Sequence, residues 1–394
     1  MTGTAKSHGM DGTLVEPDWP PLTLAELRPL LAQFPSLGEP VRIESVSPRP
    51  FSAAGVIATS KASVFVKRHH HNLRDRQGIL EEHRFMAHLF SHGVPVPRVV
   101  AAGAGESAIE LDDWTYEIHE MPAGIDLYEQ ALSWTPFQSP AHARSAGEML
   151  ARMHLAAQGF SAPARKPRPL VASFTIFAAA DPAAQMERYF AVRPSLASHK
   201  AVRACADVAL ELLDPFHAEL TPLLPALAPL WTHNDLHASN LFWSDASPAA
   251  HATAVIDFGL ADRTIAVHDI AHAIERNIVE WLLLVNDPTA PDAVPIHFDH
   301  LAALLDGYES VRPLSREEAA ALTPMAALCH AEFALSEADY FLGTLHSEEK
   351  AAMAYDGWLV GHARWFPGPG MKLLDALRRW ADARKLDREG AAAR

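Results

Sequence analysis

The stretch WTHNDLHASNLFW, residues 231–243, decides how this chain reads. It sets His233, Asp235, His237 and Asn240 between two apolar, strand-like pieces. Buried polar groups cost free energy unless they are hydrogen-bonded, so four of them at a strand junction need partners or a chemical task. Downstream, ATAVIDFGLAD at 252–262 reads as a β-branched strand ending in Asp257, Phe258 and Gly259. The intervening SDASPAAH, 244–251, is a hairpin loop by composition.

Upstream, VRIESVSPRPFSAAGVIATSKASVFVKRH at 41–69 is broken by Pro48, Pro50 and Gly55, which predicts two or three antiparallel strands. Alternation places Phe65 and Lys67 on one face and Val64 and Val66 on the other. A helix is expected from about Asp75 to His92, closed by Gly93, with Ile79, Met86, Leu89 and Phe90 as its apolar stripe. Glu82 falls on that stripe and needs a cation, for which Lys67 is the nearest upstream candidate. WTYEIHEM at 114–121 reads as another strand, and after Gly124 Ala- and Leu-rich helical segments dominate. A small β-rich part followed by a larger helical part predicts an α+β chain of two lobes. The boundaries expected are a flexible arm over 1–20, an N-lobe over 21–121 and a C-lobe over 122–394.

The spacing of His233, Asp235, Leu236 and Asn240 is that of kinase catalytic loops, and Asp257-Phe258-Gly259 follows in the order such enzymes use. At this point the chain resembles the aminoglycoside phosphotransferase and choline kinase group, whose members share the protein-kinase-like fold. That group's loop usually reads His, Gly, Asp, Leu, His, Pro, Gly, Asn; Asn234, Ala238 and Ser239 depart from it. His237, where protein kinases more often carry Lys, favours the small-molecule branch. LEEHRFMAHLFSHGVPVP at 80–97 and HDIAHAI at 268–274 extend the likeness, which runs from about residue 40 to 285.

The resemblance implies ATP and Mg²⁺ as cofactors, with transfer achieved mainly by positioning and by neutralising oxygen charge. Asp257 and Asn240 would supply hard oxygens to the metal. Asp235 would take the proton of the attacking hydroxyl, and His237 would donate to a phosphate oxygen. His233 and Asp269 read as supports, with plain N-capping as the bland alternative for Asp269. Lys67 and Glu82 would fix the phosphates, Gly55 would be the flexible point of the phosphate-covering turn, and Glu120 and Met121 fall where the family's hinge meets adenine.

Two other classes compete. A zinc hydrolase built on His233, Asp235 and His237 leaves Asn240, Asp257, Lys67 and Glu82 unexplained; tightly held zinc would favour it. A non-catalytic nucleotide-binding scaffold, or a Ser/Thr protein kinase of the same fold, stays open.

The acceptor is expected to be a small-molecule alcohol. CHAEFALSEADYF at 329–341 puts Glu337 and Tyr340 on a stripe with Cys329, Phe333 and Phe341. Acid beside aromatic rings suits an amine-containing alcohol or amino sugar, although solvated acids on a partly exposed helix explain the pattern equally well. A net charge of −15 argues against nucleic acid or an anionic membrane as partner. Two cysteines without metal spacing, and no long apolar run, point to a cytoplasmic chain. The tract KRHHHN at 67–72 reads as a solvated strand end. Oligomeric state is not readable from these features.

Overall fold

A computed structural model describes residues 6–392. The N-lobe opens with a short hairpin of β1 (Ser7–His8) and β2 (Leu14–Val15). Its five-stranded antiparallel sheet comprises β3 (Pro40–Val46), β4 (Ala53–Thr59), β5 (Ser63–His70), β6 (Ile109–Leu111) and β7 (Trp114–Glu120), in the order β3-β4-β5-β7-β6. Val64 and Val66 point to one face, where they bury against Leu27, Leu30 and Phe34 of the helix Leu24–Leu31 and its end. Phe65 and Lys67 point to the other face, toward the C-lobe, as the alternation requires.

The helix Arg76–Ser91 is capped by Asp75, whose Oδ1 accepts from Gly78 N at 2.7 Å. It buries Ile79, Glu82, Phe85, Met86 and Leu89. The chain leaves the sheet through Gly124, which sits at φ 104° with Trp243 O and Thr253 Oγ1 within 2.5 Å of where a Cβ would stand. A side chain there would be strained twice over.

In the C-lobe, two two-stranded sheets carry the quoted stretch. β8 (Pro229–Thr232) pairs with β11 (Asp262–Ile265), and β9 (Leu241–Trp243) pairs with β10 (Ala252–Val255). Residues 233–240 and 256–261 are the two loops these pairs hold side by side. Helices pack around them, and no helix among the described residues is long and apolar enough to cross a membrane.

The arm over 1–20 differs from expectation. Residues 1–5 lie outside the described residues, but from residue 6 the chain is packed against both lobes. Trp19 stacks on His70 at 4.9 Å and donates Nε1–H to Tyr340 Oη. Asp18 meets Tyr340 and Lys350 of the C-lobe. Periodicity misses this segment because its order comes from long-range contacts rather than from a repeating apolar face. The histidine tract also differs: His69 is buried and reaches Glu117, and His70 is the ring under Trp19.

The helices Pro140–Ala157 and Phe298–Val311 cross at Gly147 and Gly307, where a Cβ on Gly147 would stand 2.0 Å from Leu304 O. Alanine ordinarily improves a helix interior by about 1 kcal/mol over glycine. Here the steric conflict is with backbone that cannot rotate away, and overpacking of about 1–3 kcal/mol outweighs the gain. Gly147→Ala should therefore lower the denaturation midpoint in equilibrium unfolding; a variant as stable as the parent would mean the crossing is looser than this.

Candidate active site

The loop 233–240 is held from behind by one carboxylate. Asp269, in the first turn of the helix Ala266–Ile278, accepts from His233 N through Oδ2 and from Asn234 N through Oδ1, both at 2.8 Å. Burial pushes this acid up, but the His154 imidazole at 3.0 Å and the loop amides outweigh it and hold its carboxyl at about 2. Plain N-capping is therefore not its task. Asn234 stands at φ 62°, where the resembling family has glycine; asparagine tolerates that region, and its side chain bonds Ala172 O and accepts from Thr232 Oγ1. Asn277 clamps the loop further on, accepting from Ala238 N and donating to Leu236 O.

Asp235 then projects forward. Its Oδ1 accepts from Arg276 Nε at 2.9 Å, and Asn240 Nδ2 donates to the Asp235 carbonyl at 2.8 Å. Burial, aided by the nearby Asp257 charge and opposed by Arg276 and His233, raises its carboxyl to about 6. Asp257, at φ 60°, has the opposite balance: burial would raise it, but Lys67 Nζ at 2.9 Å holds it well below the usual carboxylate range. Burial, then the Arg49 and Arg276 charges, push His237 well below its ordinary value, so its ring is neutral near pH 7. Its Nδ1 lies 2.7 Å from Ser239 Oγ, which in turn accepts from Arg49 Nη2. Ser239 keeps its own hydrogen after accepting from Arg49 and can give it to Nδ1; in that tautomer the ring proton sits on Nε2, 3.7 Å from Asp235 Oδ2.

His233 is fully engaged: Nε2 donates to Ile256 O and Nδ1 accepts from Asp235 N. No ring nitrogen is left for a metal, which removes the zinc set His233, Asp235 and His237.

Two cavities meet at these residues. The larger, about 440 Å³, lies under the sheet and is lined by Val56, Phe65, Met86, Glu120, Met121 and Ile125 among others. The smaller, about 150 Å³, holds Asp235, Arg276, Trp134, Phe333, Glu337 and Trp358. Lys67, Arg49, Ser52, Asn240 and Asp257 belong to both walls. Asn240 and Asp257 thus face one junction rather than separate regions.

Three expectations change. Glu82 does not pair with Lys67: it accepts from Arg74 Nε at 3.0 Å and Arg165 Nη2 at 2.6 Å, and both guanidiniums also bind Gly259 O. Lys67 lies between Asp257 and Glu117, its partner across the sheet. Gly55 is not at a turn. It lies inside β4, paired with Val46 and Val66, where a Cβ would fall 2.3 Å from Ser45 O, so its smallness lets β3 approach. The turn itself is residues 47–52 and contributes Arg49 and Ser52. Tyr340 is spent on Asp18 and Trp19 and does not line the smaller cavity, whereas Glu337 does. Its helix is buried rather than partly exposed: Glu332 caps the amides of Thr175 and Ile176, and Asp339 accepts from Ser195.

The sequence reading missed Arg49, Arg74, Arg165 and Arg276. Arg276 is sandwiched between Trp134, 3.8 Å away, and Phe333, 4.7 Å away. Trp134 itself sits at φ 68°, a costly conformation for so large a residue.

A phosphotransferase enzyme family model matches residues 56–314, well over half of the chain. The chain belongs to that family. Curated relatives include homoserine kinases of Gluconacetobacter diazotrophicus, 28% identical over 64% of this chain, and of Rhodospirillum rubrum, 27% identical over 72%. The alignment to the first of these spans 66% of that protein, just under two thirds of its length. Among solved structures, a microcompartment-associated aminopropanol kinase superposes with a TM-score of 0.56 at 18% identity, covering 86% of this chain and 95% of that one. An amicoumacin kinase in complex with AMP-PNP, Ca²⁺ and its ligand superposes at 0.55 and 14% identity, over 86% of this chain and 95% of the other. These superpositions show the two-lobe kinase-like fold.

The depressed Asp269 carboxyl stabilises the folded chain above the ordinary value of 3.8, and that stability is lost as pH falls toward about 2. The shift corresponds to about 2 kcal/mol. Unfolding of Asp269→Asn against the parent should show a gap of at least that size at pH 5–7 that shrinks below pH 4; a pH-independent gap would assign the loss to packing instead.

Proposed function

We propose that the chain is an ATP- and Mg²⁺-dependent kinase that moves the γ-phosphate of ATP to a hydroxyl of a small, amine-bearing alcohol. One observation carries this reading: Asp235 stands in the smaller cavity at the point where it joins the larger one, beside the shared residues Lys67, Asn240 and Asp257. The larger cavity suits the nucleotide, with Glu120 and Met121 at the adenine end and Lys67 at the phosphate end.

Asp257 and Asn240 are the residues that would hold Mg²⁺. The donor set fits: Asp257 is anionic with Oδ2 free of protein donors among the described residues, and Asn240 turns its amide nitrogen to Asp235, leaving the carbonyl oxygen for a ligand. When bound, the ion offsets charge on the phosphate oxygens. The protein's own part is to hold and move protons and to orient. Arg276 fixes Asp235 through Nε so that its other oxygen can accept the hydroxyl proton. His237 offers Nε2–H, and Arg49 brings a fixed positive charge over the junction in place of a glycine-rich turn.

The acceptor side favours a small molecule. The smaller cavity holds about 150 Å³ and opens onto the larger one; a space of that volume takes benzene in engineered cores, so its inner part suits about six to nine heavy atoms. Such a size counts against multi-ring amino sugars and protein side chains. Homoserine, the substrate in the names of the relatives, is of this size and carries both a hydroxyl and an ammonium group. Glu337, beside Phe333, Trp134 and Trp358, is the group to receive that ammonium.

The test is ADP release across amino alcohols, hydroxy amino acids, amino sugars, nucleosides and a generic protein substrate. Small amino alcohols or hydroxy amino acids should turn over best, and preference for multi-ring sugars would sink the acceptor assignment. Asp235→Ala should lose roughly 10²–10⁴ in kcat while MgATP affinity changes little. Glu337→Gln should raise KM for an amine-bearing acceptor about tenfold with kcat nearly kept. Because Asp235 must be ionised to take a proton, kcat/KM should fall below pH about 6, roughly tenfold per unit. A profile flat to about pH 4.5 would show that another group accepts the proton.

A further inference from the structure

Two buried clusters of histidine surround a carboxylate in this chain, and they differ in how their hydrogen bonds close. In the N-lobe, Glu117 accepts from His69, His83 and His119 at 3.1, 2.8 and 2.9 Å, each ring nitrogen directed at a carboxylate oxygen. That cluster satisfies itself. Behind the smaller cavity, His330 Nδ1 lies 2.7 Å and His362 Nε2 3.1 Å from Glu275 Oε1, yet neither ring N–H points at the oxygen. Oε1, both nitrogens of His330 and Nε2 of His362 are without a hydrogen-bond partner among the described residues. All three side chains are at most 3% exposed. Only the other oxygen, Oε2, is conventionally bonded, by His272 Nδ1 at 2.9 Å, with Cys329 Sγ at 4.0 Å.

A buried polar atom without a partner is costly, and several in contact are rarely left so. Close approach without hydrogen-bond alignment is what lone pairs show when they converge on a common point. We propose that Glu275, His330 and His362 form a binding site for a borderline divalent cation of the first transition row, Zn²⁺ first among them. Two imidazole nitrogens and one carboxylate oxygen are its usual ligands, and bonds of about 2.0–2.1 Å place tetrahedral ligands about 3.3 Å apart; the nitrogens stand 2.7 and 3.1 Å from Oε1 and all three atoms lie within 4.8 Å of one another, so small side-chain shifts would admit the ion. The ion's charge is offset by Glu275 and, beyond Arg276, by Asp235. It would join three helices, Ala266–Ile278, His330–Gly343 and Gly361–Trp365, directly behind the turn that aims Arg276 at Asp235. Its role is positional. Because both His233 nitrogens are engaged, zinc at this place would not revive the hydrolase reading.

The experiment is metal analysis of the full-length protein after incubation with Zn²⁺ and gel filtration, with Co²⁺ substitution in parallel. The expected result is about one Zn²⁺ per chain in the parent, about one in His83→Gln, and a loss of at least tenfold in His330→Gln and His362→Gln. The Co²⁺ form should show the intense visible bands of four-coordinate nitrogen and oxygen ligation. A folded parent that retains no metal, or His330→Gln and His362→Gln variants that keep it, would overturn the site. Should those variants fail to fold, the parent still decides: Co²⁺ bands of a weakly absorbing six-coordinate ion, or none, would also overturn it.

Discussion

The ion pair of Lys67 and Asp257 joins a strand of one lobe to a loop of the other, and the rest of the site is arranged to suit it. The pair is only partly withdrawn from water, with the Lys67 side chain 13% and the Asp257 side chain 35% exposed, so solvent screening keeps its contribution to stability small. The pair therefore acts as a register between lobes. It keeps Asp257 anionic and holds the ammonium at the mouth of both cavities. Glu117 contributes a second negative field at Lys67 while its own oxygens are saturated by three histidines, so it tunes the amine without capturing it.

That arrangement explains why Glu82 is found elsewhere. With Lys67 committed to Asp257, the helix carboxylate binds Arg74 and Arg165, and those guanidiniums bind the Gly259 carbonyl two residues after Asp257. Helix and the 256–261 loop are thus linked through arginine and main chain instead of through the strand lysine. Asp269 and Asn277 do the same for the other loop. Rigid bonds lie behind each loop, and the atoms facing the junction are the ones left with spare capacity, the arrangement that preorganised transfer sites require.

How much of this was legible in the sequence follows from what each feature depends on. The order of Lys67, His233, Asp235, Asn240 and Asp257 is a local spacing on strands and tight loops, so it survives translation into structure. The helix Arg76–Ser91 was legible from its terminal glycine and from Ile79, Met86 and Leu89, which are buried, whereas Phe90, expected on the same stripe, is exposed and Phe85 is buried in its place. Partners at long range were not: Arg165 sits in a proline-rich stretch without periodicity, and its contacts with Glu82 lie 83 residues away. Position on a stripe also cannot separate Glu337 from Tyr340, since both face inward. What divides them is Asp18 and Trp19, more than 300 residues upstream, which claim the phenol. Gly55 misled for a related reason. Glycine marks either a flexible turn or a close backbone approach, and only the pairing of β3 with β4 shows which.

The smaller cavity also has a charge logic that follows from one guanidinium serving two acids. Arg276 spends its directed hydrogen bond on Asp235, and Glu337 feels its charge only at a distance. Burial, only partly offset by Arg276 and reinforced by Glu275 and Asp235, lifts Glu337 to about 8. Glu337 therefore carries a proton near pH 7 when the cavity holds no cation. On the proposed reading, an arriving ammonium group would displace that proton and gain a carboxylate partner flanked by aromatic rings. A neutral alcohol of the same shape would meet a protonated acid and gain neither charge pairing nor cation–π attraction. Discrimination between amine-bearing and neutral acceptors would then come from the cost of ionising Glu337, and it would weaken as pH rises above 8 and the carboxylate is already charged. Asp235, held lower by its direct bond to Arg276, stays ionised through that range, so recognition and proton acceptance are separated by which acid the arginine touches.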